Sequence, residues 1–559
     1  MPQYSIGLDY GTNSVRGLLV DIATGEEIAT SVFDYRHGEA GIVLDPSEPD
    51  LARQHPRDYV DGAAAVIRAV LEQASTQHGF STAQVIGIGV DTTGSTPIPV
   101  DADGQPLAFD PAFVDNPAAM AYLWKDHTGH AEAVKITELA RSRYPQYVAK
   151  SGGTYSAEWF WAKLLHCRLA TPEIFEKAYT WVELADWVPA LLCGTTSPDS
   201  VKRGICAAGH KAIFHQEWGG YPSESFLSEL HPDLCRVRRT LPDTAYAVGD
   251  LAGTLSTEWA QITGLTPGIA VSVGAFDCHL GAVGAGIKPG VLVKIIGTST
   301  CDIMVAPMDD STGDIPGLCG IVPGSVLPGY LGLEAGQSAV GDIFNWYVNV
   351  VQPAGMGFAE LTDAAAKLLP GESGLIALDW HNGNRTVLVD QRLTGGMIGL
   401  TLHTTPAEMY RALVEATAFG ARVIAERFGE YGQHVDSIVA CGGISAKNPL
   451  VMQIYADVLG KPVSVSSSAQ TCALGSAVAG AVAAGAYSTF ADATANMSAG
   501  CSETFQPIAE NVATYEKLFQ LYRQLHDSFG TSDGGASLYN VMKVVMDMRD
   551  EVRRVASHH

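Results

Sequence analysis

Residues 4–20 read YSIGLDYGTNSVRGLLV. Residues 4–8 are apolar enough for a buried strand, and Asp9 closes it. Gly11-Thr12-Asn13-Ser14 reads as a tight turn, and residues 15–20 as a returning strand. Glycine lets the backbone turn close to a ligand. Successive N–H groups and hydroxyls then face one concavity, which suits an anion such as phosphate. Ligands of open α/β sheets collect at strand ends, where Asp9 stands. A carboxylate there can hold Mg²⁺ through water, because that ion takes few carboxylates and keeps several waters. Taken alone, a plain hairpin accounts for the stretch equally well, so the rest of the chain has to decide.

Outward from this hairpin, residues 21–26 turn and residues 27–35 form a third strand. Tyr59, Ala63, Val66, Ile67, Val70 and Leu71 have helical spacing within 57–73, and residues 85–90 are a buried strand ending at Asp91. The pattern then restarts. Residues 291–296 are a strand, Gly297-Thr298-Ser299-Thr300 a polar turn and 301–305 a return strand. A helix over 406–427 and a strand over 437–440 follow, the strand running into Cys441-Gly442-Gly443. The chain therefore reads as α/β, in two related halves that each open with a hairpin able to grip phosphate. Glycine and proline punctuate 284–290 (GAGIKPG), which places the boundary there. An amphipathic helix is expected over 508–529 and a final charged helix over 538–555, both as surface additions.

The bulk numbers agree with a two-domain globular protein. The chain has 559 residues, 47% hydrophobic and 17% charged. Its 60 acidic and 35 basic residues leave a net charge of −25 without a block of like charge, which argues against nucleic-acid or anionic-membrane binding. The ten cysteines form no C-x-x-C pair and stand near no histidine at zinc-finger spacing, so they read as scattered buried thiols. The opening MPQYSIGLDYG has neither a basic nor an apolar leader region, and the expectation is the cytoplasm. Residues 472–487 (CALGSAVAGAVAAGAY) are apolar but short and poor in large aliphatics, which predicts a closely packed buried helix rather than a membrane span.

Three further segments carry candidate chemistry. GTST at 297–300, with Lys294 before it, repeats the form of the first turn. In CGGISAKN (441–448) two glycines follow a strand, so a flat group such as adenine can lie on the backbone. Asn448-Pro449 then reads as a helix cap and first turn. In GAFDCH (274–279) a strand delivers Asp277 beside His279. That carboxylate can take a hydroxyl proton during phosphoryl transfer, or simply cap the following helix, while His279 reads as a packed histidine. No P-loop, nucleophile elbow or H-E-x-x-H is present, and GAVGAG (281–286) has the wrong glycine order for a dinucleotide fingerprint.

In order along the chain stand DYGTNSVR, VDTTGS, GAFDCH, GTST, EAGQSAVGD and CGGISAKN. Together they resemble the FGGY carbohydrate kinases, and residues 395–415 are similar to that family's second signature region. The resemblance spans about residues 4–487. It implies a two-domain actin/Hsp70/hexokinase-like (ribonuclease H-like) ATPase fold with a catalytic cleft between the domains. Residues 1–287 would form the sugar-binding domain, 288–487 the ATP-binding domain and 488–559 a C-terminal helical extension. SAEWFWAKLLH (156–166) and RGICAAGHKAIFH (203–215) bring the chain nearest to members that phosphorylate a ketopentose. Where glycerol kinases of the family carry Arg-Glu, this chain has Ser95 and Thr96.

The resemblance implies ATP and Mg²⁺ as cofactors. It makes Asp277 the catalytic base and Asp9 the carboxylate associated with the metal. Gly11, Thr12, Asn13 and Arg16 would form the first phosphate loop, and Gly297 and Thr298 the second. Gly341, Asn345, Gly443, Lys447 and Asn448 would form the adenosine site. Ser95, Thr96, Lys211 and Glu334, with Asp277, would meet the sugar. The implied partners are a small ketopentose and a second copy in a homodimer, with no nucleic acid and no membrane. Two alternatives stand beside this reading: a kinase of the same family acting on xylulose, ribitol or a related polyol, and a non-catalytic ATP-binding module of the superfamily.

Overall fold

The computed structural model describes residues 2–76, 79–308, 313–532 and 538–539. β1 (Tyr4–Tyr10), β2 (Ser14–Asp21) and β3 (Glu27–Asp34) form an antiparallel meander. Every residue of β1 is buried, with Tyr4, Ile6, Leu8 and Tyr10 on one face and the small or polar Ser5, Gly7 and Asp9 on the other. α1 (Pro56–Ser75) starts where the His55 ring nitrogen accepts the Arg57 N–H at 3.1 Å and proline occupies the first turn. It packs its Tyr59, Ala63, Val66, Ile67 and Val70 face on β2 and β3. β4 (Val85–Thr92) lies parallel to β1, with Asp9 opposite Asp91. α2 (Phe160–Ala170) and α3 (Ile205–Lys211) come next. β5 (Leu251–Thr254) and β6 (Ala270–Ser272) extend the sheet beyond β4. β7 (Ala275–Phe276) pairs with the end of β4, and α4 (Asp277–Gly284) leaves directly from it.

The second half repeats this plan. β8 (Val291–Ile296) and β9 (Thr300–Pro307) form its hairpin, with β10 (Gly320–Pro323) and β11 (Tyr330–Ala335) added beside β9. α5 (Gly341–Asn345) is short. α6 (Pro406–Glu430) begins with a capping box between Thr405 and Glu408. β12 (Ser437–Cys441) is parallel to β8, and α7 (Gly443–Lys447) and α8 (Pro449–Leu459) follow it. β13 (Val463–Ser466), α9 (Thr471–Ala483), β14 (Cys501–Phe505) and α10 (Ala509–Gly530) complete the described chain. The order β3-β2-β1-β4-β6 in one sheet matches β11-β9-β8-β12-β13 in the other, with the same parallel and antiparallel neighbours. The two hairpins of the sequence are thus equivalent positions in one architecture, and residues 284–290 fall between α4 and β8.

α9 shows why 472–487 lacks large aliphatics. It belongs to the second half but packs on β1 and β4 of the first. A Cβ on Gly7 would stand 1.8 Å from the Ala473 carbonyl oxygen, and one on Gly89 1.8 Å from that of Ser476. Bare backbone at those glycines lets helix and sheet meet at a distance no other residue allows. No helix among the described residues is long and apolar enough to cross a membrane.

Two expectations change. The region after 487 is not only a helical surface addition: β14 pairs with β13 as an edge strand, and Tyr515, Phe519 and Tyr522 of α10 are core residues. The strand was illegible because four of its five residues are exposed, which gives no apolar alternation. Among the cysteines, all free, Cys501 on this edge is exposed rather than buried. Lys294, before the second turn, is buried against both Asp302 oxygens, at 2.8 Å each, and also donates to the Thr300 hydroxyl at 3.4 Å. The expected helix over 538–555 lies almost wholly outside the described residues.

Candidate active site

β1, β4 and β7 end side by side, and each delivers an aspartate to one place. Asp9 is the second-last residue of β1, Asp91 lies opposite it, and Asp277 is the first residue beyond β7. Asp91 is fully buried. One of its oxygens accepts the Ser476 hydroxyl at 2.6 Å, while Oδ1 has no hydrogen-bond partner. Burial, and then the charge of Asp9, raises its carboxyl far above the usual range. Asp277 keeps a partly exposed edge and accepts the Cys278 N–H at 2.7 Å. It is the first residue of α4, with Phe276 at the cap position, so it is not the side-chain cap of a later helix. Burial and Asp9 push Asp277 up to about 7. A base must be ionised to accept a proton. Turnover expressed as kcat/KM should therefore drop tenfold per unit below about pH 7. A pH profile of kcat/KM that is flat down to pH ~5.5 would contradict this assignment.

On one side of Asp277 an ion pair crosses between the halves. Lys211, at the end of α3, donates to Glu334 of β11 at 3.3 Å, and both are buried. The Lys211 ammonium also lies 5.2 Å from the Trp159 ring and 5.7 Å from the Phe276 ring. Burial opposes both charges, but their mutual attraction wins: Lys211 is raised and Glu334 lowered. Behind Glu334 stand His210, 3.2 Å from its second oxygen, and His279, 3.6 Å away. The three ligand-type groups lie close enough for a cation. However, the two imidazoles are hydrogen-bonded to each other at 3.1 Å, and Lys211 already compensates the carboxylate. Burial lowers both histidines, His279 to about 4, so they are neutral supports of Glu334. His279 is the packed histidine that the sequence suggests.

Ser95 and Thr96 are fully buried, and their hydroxyls do not face a pocket. Ser95 donates to Glu183, the Thr96 N–H donates to the other Glu183 oxygen at 2.8 Å, and the Thr96 hydroxyl lies 3.1 Å from that of Thr93. Glu183 is too far away in the chain to be foreseen as their partner. Gly94 is the part of this loop that packs on the residue before Asp277: a Cβ there would fall 2.2 Å from the Phe276 ring.

On the other side lie the two turns. Gly11 donates to the Ser14 carbonyl at 2.9 Å, closing the first turn. The Thr12 hydroxyl accepts the Trp124 indole N–H at 3.0 Å, which leaves its proton free to donate. The Asn13 side chain instead donates to the Ala40 carbonyl at 2.6 Å, and Arg16 pairs with Asp9 at 3.2 Å. In the second turn, the Gly341 N–H donates to Gly297 at 3.1 Å, and Val340 and Asp342 donate to the Thr298 carbonyl at 2.8 and 3.1 Å. A Cβ on Gly341 would approach the Gly297 oxygen to 2.4 Å and Ile444 to 2.9 Å. The structure thus gathers Gly297, Thr298, Gly341 and the 441–448 segment. Asn345, Gly443 and Lys447 are exposed there. Asn448 is spent on structure: its oxygen caps α8 through the Val451 N–H at 3.2 Å.

Sequence reasoning missed Asp91 as a site residue, although VDTTGS marked it as the strand-ending carboxylate. It also missed Lys163, Glu183 and Trp124, whose partners are remote in the chain.

Residues 4–284 match the N-terminal domain of the FGGY family of carbohydrate kinases, and residues 292–484 match its C-terminal domain. The chain belongs to this family, and is a carbohydrate kinase that uses ATP. Among curated relatives, it is 43% identical to the ribulokinase of Vibrio parahaemolyticus over 552 residues, covering 94% of this chain and 96% of that one. It is 43% identical to that of Geobacillus thermodenitrificans over 571 residues, covering 99% and 98%. Among solved structures, a xylulose kinase from Lactobacillus acidophilus is similar with a TM-score of 0.78 at 20% identity, covering 96% of this chain and 100% of that one. A Plasmodium falciparum glycerol kinase with ADP is similar with a TM-score of 0.75 at 15% identity, covering 94% and 98%. At these identities the solved structures speak for the fold, which is that of the actin/hexokinase-like ATPases.

Proposed function

We propose that the chain is a ribulokinase. It transfers the ATP γ-phosphoryl group to the terminal hydroxyl of L-ribulose, with D-ribulose a second candidate acceptor, giving ribulose 5-phosphate in L-arabinose catabolism. The observation that carries this reading is identity above 40% over nearly the whole length of relatives named ribulokinase.

In this mechanism Asp277 orients the sugar hydroxyl and accepts its proton as the bond to phosphorus forms. Phosphoryl transfer is mainly positioning and charge stabilisation, so one well-placed carboxylate is enough. Lys211 and Glu334 offer a donor and an acceptor to the remaining hydroxyls. Thr12, with its hydroxyl proton free, donates to a phosphate oxygen, while Gly11 and Gly297, whose own N–H groups close their turns on Ser14 and Ser299, let the backbone at Thr12 and Thr298 come close to the phosphates. Gly341, Gly443 and the exposed Lys447 and Asn345 border the adenosine. The unpartnered Oδ1 of Asp91 beside Asp9 gives an all-oxygen donor set that suits Mg²⁺. Asp9 would hold that ion, which when bound offsets the charge of the phosphates. The sugar domain, 1–287, and the ATP domain, 288–487, enclose the cleft, and the enzyme works in the cytoplasm as a homodimer. The product tests the reading: phosphorus–proton NMR after reaction with L-ribulose should place phosphate on C5. Phosphate on C1 would overturn the proposed sugar orientation.

A further inference from the structure

Lys163 lies on α2 without any exposed surface. Its ammonium donates to the Ser95 carbonyl at 2.8 Å, to Leu123 at 2.9 Å and to Tyr122 at 3.2 Å. An ammonium has three donors, and all three are used on backbone. The same loop is held from the opposite side by Glu183, which takes the Ser95 hydroxyl and the Thr96 N–H. The loop is therefore clamped between two buried opposite charges. Such burial is costly, and burial pulls Lys163 down to about 7 against the attraction of Glu183. A side chain that only filled space would be apolar.

We propose that Lys163 is a positioning residue for the sugar, fixing the Gly94-Ser95-Thr96 wall beside Asp277 and tying it to the first phosphate turn. The first link is Gly94, which lies on the ring of Phe276, the residue before Asp277 and one face of the Lys211 environment. The second link runs through Leu123: the next residue, Trp124, donates to the Thr12 hydroxyl. A single ammonium thus joins the acceptor side of the cleft to its phosphate side. The inference rests on the sugar-pocket reading given above.

The test is steady-state kinetics of the full-length K163M variant against ribulose and ATP, with near-UV circular dichroism to verify the fold. The sugar KM should rise ~10-fold or more, as expected for a displaced pocket wall. The ATP KM should rise by a smaller factor, because the phosphate turn is reached only indirectly, through Leu123 and then Trp124. E183Q should raise the sugar KM too. The double variant should be less than additive, because both residues act through one loop. K163Q keeps two donors for three carbonyls and should show a smaller rise in the same direction, and it is decisive if K163M does not fold. An unchanged sugar KM, equal rises in both KM values, or strict additivity would overturn the inference. A wild-type enzyme silent on ribulose would overturn the substrate reading and this inference together. An active wild type with an indifferent K163M or K163Q overturns this inference alone.

Discussion

Asp277→Asn should lower turnover ~10³-fold or more while sugar and ATP still bind. The substitution keeps the shape of the side chain and an oxygen to accept the Cys278 N–H, so α4 can start as before. What it removes is the carboxylate proposed to take the hydroxyl proton. The same change should stabilise the protein in mild alkali. In the folded state the Asp277 carboxyl titrates near 7, held there by burial and Asp9, whereas unfolded it titrates near ~4. Its folded pKa is raised, so the stability it contributes is full at low pH and falls as pH rises towards 7 and above. Asparagine has no charge to lose. Melting of the variant and wild type should therefore coincide near pH 4 and diverge at pH 8, with the variant the more stable. Near-normal turnover would remove Asp277 from the mechanism, and a variant less stable at pH 8 would contradict the electrostatics of the aspartate cluster.

Lys211→Met should act on binding rather than on chemistry. It leaves Glu334 buried without its cation, and breaking such a pair costs about 3–5 kcal/mol. His210 and His279 cannot replace the charge, because burial keeps both neutral. The loss should appear as a lower melting temperature and as a sugar KM raised about 10–100-fold, the worth of a hydrogen bond to a charged group. Pairing it with Glu334→Gln should recover much of the stability but not the KM, since the buried charge is then gone while the sugar's partners are still missing. Full recovery of both would show that Lys211 and Glu334 only support the junction of the halves. Scanning calorimetry and steady-state kinetics on the three variants separate these outcomes.

Much of this was legible in the sequence. The hairpins at Asp9 and Gly297 and the strand ends at Asp91 and Cys441 follow local rules of turn chemistry and apolar runs. Asn448-Pro449 follows the rules of helix capping. Their order along the chain carried the family resemblance. What escaped depended on contacts between distant residues. Ser95 and Thr96 look like free hydroxyls until Glu183 is seen beneath them, and Lys163 looks like an ordinary helical lysine until three carbonyls are seen around it. In each case a buried polar or charged group is satisfied by a partner remote in the chain, and no periodicity encodes such a partner.

The most direct test of the central claim is coupled ADP release from Mg-ATP with L-ribulose, D-ribulose, D-xylulose, ribitol and glycerol supplied in turn. Saturable turnover is expected with ribulose and little with glycerol. ADP release that no sugar alters, or turnover on xylulose or glycerol with none on ribulose, would contradict the account.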